Sequence, residues 1–141
     1  MSFHPHMIEM LERNEEWAQG VEDKDPDFFP NSARGQNPHT LWIGCADSRV
    51  PESVITAAMP GDIFVNRNIG NQVHLDDNNM LAVLTFAIEH LNVNHVVVCG
   101  HSNCGAAAAS LEASSSVVPG KTPITIPTDA PDAPLNVWLA L

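Results

Sequence analysis

Three short apolar runs, each ending in a turn and followed by a helix signal, constrain this chain more than any other feature. The first, Thr40-Leu41-Trp42-Ile43-Gly44-Cys45, precedes Pro51-Glu52-Ser53-Val54-Ile55, where a proline near the first turn marks a helix start. The second, residues 62–66 (DIFVN), passes through a turn at 68–71 (NIGN) into residues 76–91. That stretch is opened by Asp76 or Asp77 as N-cap and is apolar on most faces, so a well-buried helix is expected. The third, residues 95–100 (HVVVCG), is a continuous β-branched run of the kind found in the middle of a parallel sheet, and a helix from 104 to 111 follows at once. Strands alternating with helices predict βαβ units with right-handed crossovers: an α/β fold with a mostly parallel central sheet flanked by helices.

Before these runs, residues 7–21 carry apolar side chains at near-helical spacing, with Trp17 as an anchor, and predict an amphipathic helix whose stripe needs covering. Residues 23–37, rich in Asp, Pro and Asn, read as a loop. The 141 residues, 44% of them hydrophobic, are expected to form one domain. Its parts are a helical arm (1–22), a metal-binding core (36–112), a Pro/Ser-rich insertion (113–134) and the start of a truncated helix (135–141). Pro119, Pro123, Pro127, Pro131 and Pro134 rule out a helix across the insertion, which reads as a flexible surface segment.

Charge excludes one class of partner. Seventeen acidic residues against six basic ones leave a formal charge of −11, and binding to nucleic-acid phosphates needs clustered Lys and Arg that this chain does not have. No apolar run approaches the roughly 20 residues of a membrane span, and the first residues lack the charged-then-apolar order of a signal peptide. Three cysteines, an odd number, do not make a secreted disulfide framework. A cytoplasmic protein with no membrane partner is expected.

Two of those cysteines carry the chemistry. Cys45 ends the first apolar run, and 56 residues after it His101-Ser102-Asn103-Cys104 opens the turn after the third. Two thiolates and an imidazole form a soft ligand set suited to Zn²⁺ that leaves a fourth tetrahedral position for water or substrate. Both turns fall at the carboxyl ends of predicted strands, where open α/β sheets bind ligands, and the ligands converge if the first and third strands are neighbours. Cys99, inside the valine run, is assigned to core packing. His4, His6, His39, His74, His90 and His95 have no companion at metal spacing.

Three blocks carry a resemblance: Cys45-Ala46-Asp47-Ser48-Arg49-Val50-Pro51, residues 60–71 (PGDIFVNRNIGN) and residues 99–106 (CGHSNCGA). In order and spacing they resemble the signature blocks of the β-class carbonic anhydrases, of fungal or bacterial type. The resemblance implies a zinc enzyme interconverting CO₂ and bicarbonate, built as a homodimer or higher homo-oligomer with clefts between subunits. It implies zinc ligation by Cys45, His101 and Cys104, and catalytic roles for Asp47 and Arg49. Asp47 can accept a hydrogen bond from the attacking water, while Arg49 holds that carboxylate by a bidentate, charge-assisted pair and keeps it off the metal. Phe64, Ile69, Phe86 and Gly105 match substrate-slot positions, and Gln36 matches a substrate amide donor. Trp42 and Arg67 match positions of a regulatory bicarbonate pocket found in one subtype. Two thiolates neutralise Zn²⁺, so water there loses its proton less readily than on an all-histidine zinc, where the pKa is about 7, and activity should favour mildly alkaline pH.

Members of that family continue through further helices and a last edge strand, so the chain reads as a fragment or as a reduced version relying on a partner subunit. Two alternative functions follow. One is a catalytically weak zinc-binding subunit acting through assembly. The other is a hydrolase of a related small substrate, COS or CS₂, between which and CO₂ an apolar slot discriminates weakly.

Overall fold

The computed structural model describes residues 4–115, 119–120 and 124–140, which fall into two compact units, Met1–Asn37 and Pro38–Leu141. In the first unit, helix α1 (Pro5–Glu22) begins with proline at its first position, where a missing N–H costs nothing. It is tied on its surface by an Arg13–Glu9 pair one turn apart. Met7, Ile8, Met10 and Leu11 stand exposed, so the apolar stripe expected there is uncovered. The segment expected to be a loop contains a short helix, α2 (Phe28–Ser32), with Phe29 edge-on to both Phe28 and Trp17. Pro30 lies within its first turn, where a helix tolerates proline, so composition alone misread it.

The second unit is built on a parallel sheet in the order β2-β1-β3, with β1 (Thr40–Cys45), β2 (Ile63–Asn68) and β3 (His95–Cys99). β1 lies in the centre, with Gly44 opposite Arg67 on one side and Cys99 on the other. From β1 the chain crosses through α3 (Glu52–Thr56) to β2 on one flank, then through α4 (Asn78–Thr85) to β3 on the other. The order of the strands therefore reverses direction at the carboxyl end of β1, the position where such sheets form a ligand crevice. A Cβ on Gly44 would run into the Trp42 indole folded over it, so any larger residue here would displace that ring.

Leu41 and Ile43 of β1, with Met80 of α4 and Ala87 beyond it, form the buried core, and Phe64, Val83, Leu84 and Val93 pack on it. Complete burial of a Leu or Ile side chain contributes roughly 1.5–3 kcal/mol each, so β1 anchors this unit. β3 differs from expectation. Its valine run reads as a central strand, yet among the described residues β3 pairs only with β1, and Val96 and Val98 are 47% and 58% exposed. An unbroken apolar run reports a strand suited to burial on both faces; it does not supply the elements that would cover them. Cys99 is accordingly half-buried rather than packed in the core.

The helix expected over 76–91 starts where foreseen, with Asp77 Oδ1 accepting from the Asn79 N–H at 3.0 Å. It then loosens into a π-helical turn, Phe86–His90, and Phe86 and Ile88 are exposed, so only Met80 and Ala87 are fully buried. Helix α5 (Gly105–Ser114) follows the second ligand turn, and α6 (Pro134–Leu139) forms near the end of the chain as its apolar pattern predicts. Within the segment expected to be flexible, Thr125 is buried and hydrogen-bonded to Asn136 of α6, which pins that part of it. Ser116, Lys121, Pro123 and Leu141 lie outside the described residues.

Candidate metal centre

Cys45 is the last residue of β1, and His101 and Cys104 occupy the turn after β3, so the neighbouring strands carry all three to one place. Their ligating atoms lie within 4.8 Å of one another, and the two sulfurs are 3.9 Å apart. Both cysteines are buried. Cys104 is also the N-cap of α5, where the positive end of the helix dipole favours a thiolate.

The histidine is held in one orientation. Nδ1 of His101 lies 3.0 Å from the Ser102 carbonyl, which fixes the proton on Nδ1 and leaves Nε2 with a free lone pair. Nε2 is buried and has no hydrogen-bond partner among the described residues. A buried acceptor without a donor costs about 1–3 kcal/mol, and a metal ion held with the two sulfurs removes that cost. Burial pushes the Cys45 thiol up, but the His101 ring, the backbone of Asp47 and Gly70 and the Cys104 sulfur together bring it down to about 7. The Cys45 sulfur, opposed by burial, raises His101 above its ordinary value.

Asp47 and Arg49 form the clamp expected of them. Arg49 donates from Nε to Oδ1 at 2.9 Å and from its terminal nitrogen to Oδ2 at 2.6 Å, and its backbone N–H also donates to Oδ1 at 2.9 Å. These donors hold the Asp47 carboxyl well below the usual carboxylate range, so it is ionised at any working pH. Asp47 reciprocally raises Arg49. Oδ2 stands 3.8 Å from His101 Nε2, so the carboxylate borders the three ligands without joining them. Arg49 additionally donates to the Asn103 carbonyl at 3.0 Å, which ties the first ligand turn to the second.

Arg67 is engaged below the site. It donates to the carbonyls of Cys45 (2.8 Å) and Asp47 (2.5 Å) and pairs with Glu52 at 3.8 Å, bracing the turn that carries Asp47. Ile69 lines an open cleft of about 620 Å³ with Ala46, Arg67, Asp77, Leu135 and Trp138. Phe64, packed on the core, instead meets Phe86 with tilted rings whose centroids are 5.8 Å apart, and neither lines that cleft. Gly105 opens α5 next to Cys104 and Trp42 is half-buried in β1, while Gln36 belongs to the first unit. The residues that sequence reasoning missed are Asn68, Glu52, Asn103 and Trp138. Asn68 clamps the turn after β2, its amide donating to the Gln72 carbonyl at 2.7 Å and its oxygen accepting from the Gln72 N–H at 2.8 Å. Asn103 adopts a left-handed φ of 54°, which asparagine tolerates. Both bear the turn-forming residue type in a turn, a signal available beforehand; nothing in the order of residues pointed to Trp138.

A parallel α/β sheet presenting a Cys-His-Cys donor set at its carboxyl edge, bordered by a clamped carboxylate, defines a candidate metal-dependent α/β enzyme. The sequence profile of the family described as carbonic anhydrase matches residues 40–125. The carbonic anhydrase of Emericella nidulans is 45% identical over 102 residues, covering 72% of this chain and 45% of that protein. That of Saccharomyces cerevisiae is 41% identical over 106 residues, covering 74% and 48%. A crystal structure from a study of two tetrameric β-carbonic anhydrases of Sordaria macrospora superposes with a TM-score of 0.80 at 41% identity, over 96% of this chain and 61% of that one. The chain belongs to the carbonic anhydrase family, in its β class, and spans about half the length of the curated relatives it matches.

Proposed function

We propose that this chain is a zinc-dependent carbonic anhydrase catalysing the reversible hydration of CO₂ to bicarbonate and a proton. One observation carries the reading: Cys45, His101 and Cys104 converge around the bare Nε2 lone pair, with the Asp47–Arg49 clamp at their border. The donors fit the ion, since tetrahedral Zn–S bonds of about 2.3 Å put two sulfurs roughly 3.8 Å apart, close to the 3.9 Å here. When bound, zinc would supply Lewis acidity that makes water far more acidic, though with two thiolates among its ligands the proton would leave on the alkaline side of neutral. The chain's own residues do the rest. Asp47, permanently ionised and unable to swing while Arg49 holds both its oxygens, accepts a hydrogen bond from the attacking water and so aligns a lone pair with the carbon of CO₂. Ile69 offers the apolar wall that an uncharged substrate requires.

Association into a homodimer or higher homo-oligomer and a cytoplasmic location belong to the same proposal. The Sordaria relatives are described as tetrameric, and apolar β3 residues stand exposed in the single chain. Three free thiols suit a reducing compartment, and no helix among the described residues is long and apolar enough to cross a membrane. Stopped-flow CO₂ hydration together with metal analysis tests the reading. The expected result is one zinc per chain and a rate well above buffer that rises toward alkaline pH; a flat profile counts against the thiolate argument. One zinc with no rate would favour the second reading, a zinc-binding subunit acting through assembly, to which the exposed β3 face lends support.

A further inference from the structure

Asp47 and Arg49 lie two residues apart, so the clamp between them holds the carboxylate to its own turn and not the turn to the sheet. Arg49 supplies one outside tie, to the Asn103 carbonyl at 3.0 Å. The rest come from β2. Arg67 stands there opposite Gly44 in register, and its fork reaches past the end of β1. Nε donates to the Cys45 carbonyl at 2.8 Å, and a terminal nitrogen donates to the Asp47 carbonyl at 2.5 Å. Between them, the Ala46 N–H donates to the Asn68 carbonyl at 2.7 Å. Three consecutive residues are thus bound to one neighbouring strand, two of them through a single planar group.

Two carbonyl oxygens drawn toward one point repel each other unless positive charge lies between them. Arg67 supplies that charge where water does little to screen it, its side chain being 25% exposed and that of Glu52 beside it 13%. Glu52 is 3.8 Å from the guanidinium, beyond the roughly 2.7–2.9 Å of a charge-assisted hydrogen bond, and its Oε2 has no hydrogen-bond partner among the described residues. It balances the charge of Arg67; the two carbonyls direct the fork.

We infer that Arg67 is a positioning residue for the reaction: its fork locks the Cys45–Asp47 segment to β2, so that the metal ligand and the orienting carboxylate keep one fixed separation. The inference rests on the zinc carbonic anhydrase reading above and extends it to a side chain whose hydrogen bonds end on backbone carbonyls. The resemblance matched Arg67 to a regulatory pocket; this second duty needs no bicarbonate. Without the fork, Arg49 travels with Asp47, and their clamp survives intact while pointing to the wrong place. A shift of about 1 Å in such a group can cost on the order of 100-fold in rate.

Arg67→Lys keeps the charge and replaces the planar fork by one flexible ammonium. In chelator competition on the whole chain it should hold zinc about 10-fold less tightly than wild type. At saturating zinc, kcat should fall about 10-fold with KM unchanged. Arg13→Lys, the same exchange on the exposed surface of α1, should match wild type in both. In the Asp47→Ala background, Arg67→Lys should lower turnover by less than about 2-fold, because the carboxylate it positions is gone. Wild-type zinc affinity in folded Arg67→Lys overturns the inference, as does a turnover loss that multiplies in full with that of Asp47→Ala. A raised KM at unchanged kcat also overturns it, by making Arg67 a substrate contact. A further measurement needs no variant. In the wild-type chain, a scalar coupling across the hydrogen bond from Arg67 Nε to the Cys45 carbonyl carbon reports the fork directly, and its absence overturns the inference. A wild-type chain that takes up no zinc overturns the metal-centre reading itself, and this inference with it.

Discussion

At the carboxyl ends of β1 and β3, polar side chains are tied from several directions at once. Asp47 is held by three donors of Arg49, Arg49 also holds Asn103, and Arg67 braces the turn from below. Along β3 and the π-helical turn, Val96, Val98, Phe86 and Ile88 instead stand half-exposed. The two regions obey different physics. The site is organised by short-range, directional bonds between turns, which need only two neighbouring strands to bring them together. The apolar face is non-directional and gains stability only when something covers it. A site can therefore be pre-organised on a scaffold whose own burial is incomplete.

The comparison breaks most decisively at a ligand. Cys104→Ser replaces a soft anionic ligand by a neutral hydroxyl, and metal analysis should fall from one zinc per chain to nearly none, with CO₂ hydration lost. A retained stoichiometric zinc would mean that the three donors do not act together. Asp47→Ala is the sharper probe of the clamp: zinc content should be unchanged while turnover falls about 100-fold. Normal turnover would leave Asp47 and Arg49 as a structural pair. On the packing side, Leu41→Ala in the centre of the sheet should cost about 2–5 kcal/mol in urea unfolding. A loss well under that range would show that β1 is not the anchor of its unit. The smallest effect on the chain itself belongs to the exposed face. Val98→Lys should change stability by no more than about 0.5 kcal/mol, yet sedimentation should shift toward the monomer if copies cover one another there. An unchanged mass would remove β3 from the assembly surface.

Much of this was legible in the order of residues because strand and turn signals coincide with chemistry. Thr40–Cys45 is a strand over the residues its apolar run marks, and Cys45 and the His101/Cys104 pair fall at strand ends where ligands gather. Asp47 and Arg49 meet because they are two residues apart on one turn. The errors have physical causes. The valine run of β3 looked central because pattern records suitability for burial and not the presence of neighbours. The Asp/Pro-rich stretch before β1 concealed α2 because proline is harmless in a first turn. Segment 124–130 looked loose because its tether, Asn136, is a single polar residue in an apolar helix and bonds across a distance that no local pattern expresses.

The sequence by itself determined the strand and helix pattern, the donor types available for a soft metal and the pairing of Asp47 with Arg49, because each depends on side-chain chemistry and separations of a few residues. The tertiary structure alone decided that β1 lies between β2 and β3, and hence that sulfurs 59 residues apart come within 3.9 Å of each other. It also decided that Trp138 reaches back to the Ile69 carbonyl across 69 residues. Closing loops of that length costs entropy that only the packing of the whole unit offsets, so no local signal could announce either contact.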